Sequence, residues 1–215
     1  MKNMRIRSLT IALLFILLLA TAGTAAPAIS PMDQVKEGAD KLIEKLSDPA
    51  MQDDANKEQA LESLRATAEQ YVDFRLATMY SIGKPWLKMS KQMQDDLTEA
   101  FVNLLQRTYL QRIPAYGGQK VNYVKEIIQG RKAKVFTEII DKDKTISIEF
   151  RLRDNGQQWM IYDVVAEGVS MVSNYRTQFA QVLNDGSPEE LLRLIRERIT
   201  KLDSGDTTET VVAPE

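Results

Sequence analysis

The hydrophobic period changes twice along the chain. From Ser30 onward apolar residues recur at helical spacing: Val35, Ala39, Leu42, Ile43 and Leu46 share one face behind Ser30-Pro31, an N-cap followed by Pro at the first helical position. This helix ends near Asp48-Pro49. The polar link Met51 to Lys57 leads to a longer amphipathic helix carrying Leu61, Leu64, Ala68, Tyr71, Val72, Leu76 and Met79, which stops at Gly83-Lys84-Pro85. Ser90 caps a third helix with Met93, Leu97, Ala100, Phe101, Leu104, Leu105 and Tyr109 on its apolar side, ended by Pro114 to Gly118. From Gln119 the period is two, and strands are expected at about Lys120 to Ile128, Lys132 to Ile140, Lys144 to Arg153 and Gln158 to Val165. Helical spacing then returns with Val172, Tyr175, Phe179, Val182 and Leu183, closed by Asn184-Asp185-Gly186. Ser187-Pro188-Glu189-Glu190 opens a last helix built on Leu191, Leu192, Ile195, Ile199 and Leu202.

The turns set a register. Asn155-Gly156 tolerates positive φ at both centres of a two-residue type I′ turn, so Leu152 is expected to face Trp159, Phe150 to face Ile161 and Ile148 to face Asp163. A second turn at Lys142-Asp143 pairs Ile139 with Ile146, Thr137 with Ile148 and Val135 with Phe150, placing the same residues inward. The turn around Gly130 leaves the register of the first strand open. The order of elements predicts an α+β fold, a curved four-stranded antiparallel sheet wrapped by about five helices. A strongly curved sheet makes a cone with a cavity at its wide end. From the pattern alone a filled core, in which Leu97, Phe101, Leu104 and Leu105 oppose the inner sheet face, is the ordinary reading, since packed interiors are the norm.

Two polar features disturb this pattern. Asp163 is expected within the apolar layer, where a carboxylate must be hydrogen-bonded, paired or neutral. It has three possible roles: accepting from a helix cap or an Arg such as Arg176, acting as a general base in a steroid-isomerase-like cone, or touching a bound headgroup. On the outer face, Lys132 opposes Arg153 and Lys134 opposes Arg151, and like charges across a ladder are unfavourable. These four cations are either solvated edge charges or a docking patch for an acidic partner surface.

Composition narrows the chemistry. Lys2, Arg5 and Arg7 precede the apolar run Leu9 to Ala20 and the small residues Ala22 to Ala25, the pattern of a secretory signal over residues 1–25 with cleavage after Ala22 or Ala25. Residues 27–202 then form one domain, and the polar segment 203–215 reads as a disordered tail. The chain carries 28 Lys and Arg against 30 Asp and Glu; without the three signal cations the balance is 25 against 30, or −5. That balance does not indicate a grip on nucleic acid or on an anionic membrane. There is no Cys and no His, which excludes disulfides, thiolate or imidazole zinc sites, and Ser-His or Cys-His nucleophile pairs. No metal site or catalytic set is expected.

Three segments carry a resemblance. Tyr71-Val72-Asp73-Phe74 with Gly83 and Trp86, the run Phe101 to Tyr109, and above all Trp159 to Phe179 resemble, in order, the periplasmic phospholipid-shuttle family MlaC, also called toluene-tolerance auxiliary proteins of ABC transporters. The resemblance implies an NTF2-like cone and a periplasmic, non-enzymatic carrier with a bound phospholipid as cargo and no cofactor. The implied partners are an outer-membrane lipoprotein complex and an inner-membrane ABC transporter bearing an MCE-domain subunit. Acyl-tail contacts fall on Phe101, Leu104, Leu105, Val135, Ile148, Phe150 and Ile161, and a pocket mouth on Trp86, Val169, Met171, Tyr175 and Phe179. Two other readings remain: an enzyme of the same cone fold using Asp163, and a pocketless periplasmic adaptor.

Overall fold

The computed structural model describes residues 29–48, 57–109, 119–142 and 144–205. The expected signal segment, residues 51–56 of the polar link, the Pro114 to Gly118 stop, Asp143 and the tail beyond residue 205 lie outside these residues.

Helix α1 (Pro31–Leu46) starts as its cap requires, with Ser30 Oγ accepting the Asp33 N–H at 3.1 Å. Only its first turns are buried, through Pro31, Gln34, Val35 and Gly38. The expected long second helix is two: α2 (Lys57–Ala68) and α3 (Phe74–Ile82). The break has a cause outside the local sequence. Tyr71 to Asp73 run extended beside a sheet strand, where the Ile161 N–H donates to the Tyr71 carbonyl and the Asp73 N–H to the Ile161 carbonyl, each at 2.8 Å. The Asp73 carboxylate then accepts the Leu76 N–H at 2.8 Å and restarts the helix. After Gly83, at φ 77°, a 3-10 turn (Lys84–Lys88) leads to α4 (Lys91–Tyr109), capped by Ser90.

Five antiparallel strands follow in chain order: β1 (Lys120–Gln129), β2 (Lys132–Asp141), β3 (Lys144–Asp154), β4 (Trp159–Ala166) and the short β5 (Val169–Ser170). Helices α5 (Met171–Asp185) and α6 (Pro188–Asp203) complete the described fold. The class is α+β, with five strands and six α-helices among the described residues where four and about five were expected. The fifth strand is made by Glu167-Gly168, both at positive φ (48° and 82°), which fold Val169 back against Ala166.

The β2–β3 register is the expected one, including Val135 opposite Phe150 and Lys134 opposite Arg151. The β3–β4 register is not. Asn155 Oδ1 accepts the N–H groups of Gln157 and Gln158, both at 2.9 Å, so the loop takes four residues, and Leu152 faces Ile161 in place of Trp159. A shift of two keeps Leu152, Trp159 and Ile161 on the inner face. A bulge at Tyr162 then adds one residue, so Phe150 faces Val164 and Asp163 faces Arg151 instead of Ile148.

Buried apolar residues form two clusters. One joins α1 to the inner sheet face through Val35, Ala133, Val135, Leu152, Trp159 and Ile161. The other lies within α3, α4, α5 and α6 and is centred on Phe101, Tyr175 and Phe179. The expectation that α4 opposes the sheet is therefore corrected: its apolar face is taken by α6 and by the Tyr175 and Phe179 rings of α5, and α1 covers the sheet. Gly38 makes that cover possible, since a Cβ there would sit 2.8 Å from Tyr71 Cγ, at the rigid base of the ring. Gly38→Ala gains helix propensity but overpacks this contact, so a net loss of about 1–3 kcal/mol is expected, read as a lower urea midpoint with unchanged m-value.

Candidate apolar binding face

The inner sheet face grades from closed to open. At the end covered by α1, Val135 and Leu152 are fully buried. Farther along the same face Ile139, Ile148 and Phe150 are half-buried, and Ile146 is 38% exposed. Tyr123, also on this face, has its phenol pushed up by burial and by the nearby Asp40 carboxylate. One inward carboxylate is used structurally: Glu126 accepts the Met32 N–H at 2.8 Å and so holds the N-terminus of α1 over the sheet. The sequence offered only weak signs of this contact, because it depends on the β1 register that the Gly130 turn left open.

The seven residues expected at the acyl tails do not meet in one cluster. Val135, Ile161 and Phe150 belong to the α1–sheet cluster, and Ile148 lies beside it, toward the open end. Phe101, Leu104 and Leu105 are closed inside the helical cluster. The expected mouth residues divide in the same way. Trp86, Tyr175 and Phe179 are interior, Met171 is half-buried against the helical cluster, and Val169 is 65% exposed on β5. The helical period puts Tyr175 and Phe179 on the side of α5 that meets Phe101, with ring centroids 4.9 Å and 5.5 Å from it in edge-to-face contact.

On the outer face, charge is arranged in a chain. Glu149 receives Lys134 at 3.1 Å and Arg151 at 2.7 Å, and Arg151 also reaches Asp163 at 3.1 Å. The Lys134–Arg151 pairing is tolerated because a carboxylate lies between them. Lys132 is exposed and Arg153 is half-buried at the turn end of the same ladder. Asp163 is 2% exposed and accepts the Ser170 hydroxyl at 2.7 Å and the Val172 N–H at 3.0 Å as well. Of its three possible roles the cap-and-Arg one is realised, with Arg151 as the Arg; Arg176 instead packs over Gly83. Among the described residues no group of three or more acidic side chains is placed to hold a metal ion, and no helix is long and apolar enough to cross a membrane.

The sequence model of one family, described as MlaC protein, matches residues 36–197. The intermembrane phospholipid transport system binding protein MlaC of Haemophilus influenzae is 23% identical over 177 residues, covering 79% of this chain and 82% of that protein. Among solved structures, a phospholipid-binding protein from Ralstonia solanacearum, in complex with a phospholipid, superposes with a TM-score of 0.75 at 20% identity, covering 81% of this chain and 99% of that one.

The charge chain makes stability depend on pH. Burial acts to raise the Glu149 pKa, but hydrogen bonds and charge attraction from Arg151 and Lys134 outweigh it and hold the carboxyl below its ordinary 4.5. A lowered folded pKa contributes stability that is full above the unfolded value and disappears as pH falls through the folded one. Urea midpoints of the unsubstituted protein should therefore drop on acidification below about pH 4.5 more steeply than those of Glu149→Gln, with the gap between the two narrowing.

Proposed function

This chain belongs to the MlaC family, and from that membership we propose that it is a carrier of phospholipid between membranes. In this proposal the first 25 residues are a cleaved export signal, residues 27–202 are the carrier domain, and the protein works in the periplasm without catalysing a reaction. It accepts lipid from one membrane complex and delivers it to another, the partners being an outer-membrane lipoprotein complex and an ABC transporter with an MCE-domain subunit. Lys132 and Arg153, at the turn end of the outer sheet face, are the cations best placed to meet an acidic partner surface, because Lys134 and Arg151 already serve Glu149.

The observation that carries the reading is the open half of the inner sheet face. A packed domain of this size ordinarily consumes its apolar strand positions, yet Ile139, Ile146 and Ile148 stand on the core side of the sheet without being closed off. Two acyl chains with on the order of 30 methylenes cost roughly 24 kcal/mol to expose at ~0.8 each, so a lipid crosses water only if such a surface covers it. Both oxygens of Asp163 are engaged by α5 and Arg151, which favours a structural carboxylate over a general base.

Native mass spectrometry of the mature protein, purified without detergent from an exporting host, is expected to show a mass increment that fragments as diacyl phospholipid. A bare protein would sink the carrier reading in favour of an adaptor. Ile148→Asp, at a half-open position, is expected to strip bound lipid at least about tenfold while changing the urea midpoint little, since a charge on an apolar ligand surface is penalised by more than 1 kcal/mol. Phe101→Ala, in the closed helical cluster, is expected to lower the urea midpoint strongly, a loss of about 3–5 kcal/mol in stability.

A further inference from the structure

The two apolar clusters share no buried residue, and the chain passes from the sheet to the helical layer along a single strand, β4. Tyr71 to Asp73 pair with β4 at Ile161 and launch α3; β5 pairs with it at Val165 and Ala166 and launches α5. The side-chain ties along this seam are of two kinds. The Tyr80 ring of α3 meets Tyr162 edge-on at 5.2 Å, a contact that tolerates sliding. Asp163 is directional. Its carboxylate, 2% exposed, accepts the Ser170 hydroxyl and the Val172 N–H in the first turn of α5, and the Arg151 guanidinium of β3 approaches at 3.1 Å.

We propose that Asp163 is the latch between the sheet body and the helical body, and that releasing it lets α5 swing from β4 so that lipid is loaded along the seam. The inference rests on the carrier reading above. A ligand whose chains touch both the sheet set (Val135, Ile148, Phe150, Ile161) and the helical set (Phe101, Leu104, Leu105) lies across this seam. Separating the two bodies requires breaking whatever directional bonds cross it. Among the side-chain bonds, charge-assisted hydrogen bonds to a buried carboxylate are the strongest. Ser170 has two functions in the latch, since its hydroxyl donates to Asp163 while its oxygen accepts the Ser173 N–H and caps α5. The bulge at Tyr162 is what aims Asp163 at the helix; without it the carboxylate would face the inner layer.

The test uses the mature full-length protein and two variants, Asp163→Asn, which keeps the shape and removes the charge, and Ser170→Ala, which removes the hydroxyl's bond to Asp163 together with the Ser173 cap and serves if the first variant fails to fold. Amide hydrogen exchange is followed residue by residue, and transfer of a fluorescent phosphatidylglycerol between vesicles of phosphatidylcholine is timed. Expected is exchange faster by about tenfold or more at Val172 and Ser173, as for losing one charge-assisted bond, with β2, β3 and α4 amides unchanged, together with transfer several-fold faster. Exchange accelerated equally throughout the protein would overturn the proposal, because Asp163 would then serve global stability only. So would local opening of α5 with transfer unaltered in a protein that carries lipid. Absence of lipid from the unsubstituted protein, read separately by its native mass spectrum, would instead remove the carrier reading, while the exchange pattern still decides whether Asp163 holds α5 to the sheet.

Discussion

A strand placed between a sheet and a helical layer must satisfy its backbone hydrogen bonds on both sides, and β4 is that strand here. β3 takes one side. The other is divided between Tyr71 to Asp73, which exchange two hydrogen bonds with Ile161, and β5, which covers Val165 and Ala166. Each cover is also a helix start: Asp73 caps α3 and Ser170 caps α5. Protecting the sheet edge and attaching the helices are thus one structural solution. It explains why an amphipathic run that is continuous in the sequence is interrupted at Tyr71.

The charges follow from the same geometry. Once the bulge turns Asp163 outward, Arg151 can bridge it to Glu149, and Lys134 joins from β2. A ladder with like charges opposite one another would by itself be unfavourable. With one carboxylate between the cations and another buried beneath the helix, it becomes a network connecting β2, β3, β4 and α5. Breaking one member leaves its partners in a partly buried setting, so the network constrains position more than it adds net stability.

The division of the apolar residues bears on how such a protein holds a lipid. In the helical cluster the aromatic edges of Phe101, Tyr175 and Phe179 fill one another's space, and those residues are occupied by the protein's own packing. On the sheet the opposite holds: α1 closes one end of the inner face, pinned there by Glu126 at its first turn and by Tyr71 against Gly38, and the other end is left partly open. Rigid at one end and open at the other, the sheet offers apolar surface, whereas the helices offer it only by moving.

Local pattern determined much of this protein. Caps at Ser30, Ser90 and Ser187, the two-residue period from Lys120 onward and the β2–β3 register are consequences of nearby residues, as is an α+β class. The segment Trp159 to Phe179 also carried enough specific residues to point to the family. Tertiary structure decided what depends on distant partners. Tyr71 and Val72 have helical spacing, but Tyr71 and Asp73 bond to β4 on either side of Val72; the Asn155 side chain competed with the expected two-residue turn and lengthened the loop. Asp163 was legible as a buried carboxylate, but its partner was not, because one extra residue at Tyr162 reverses the face of everything after it. The facing of α4 was likewise undetermined: an amphipathic helix specifies that one side is buried, and only the packed fold specifies against what.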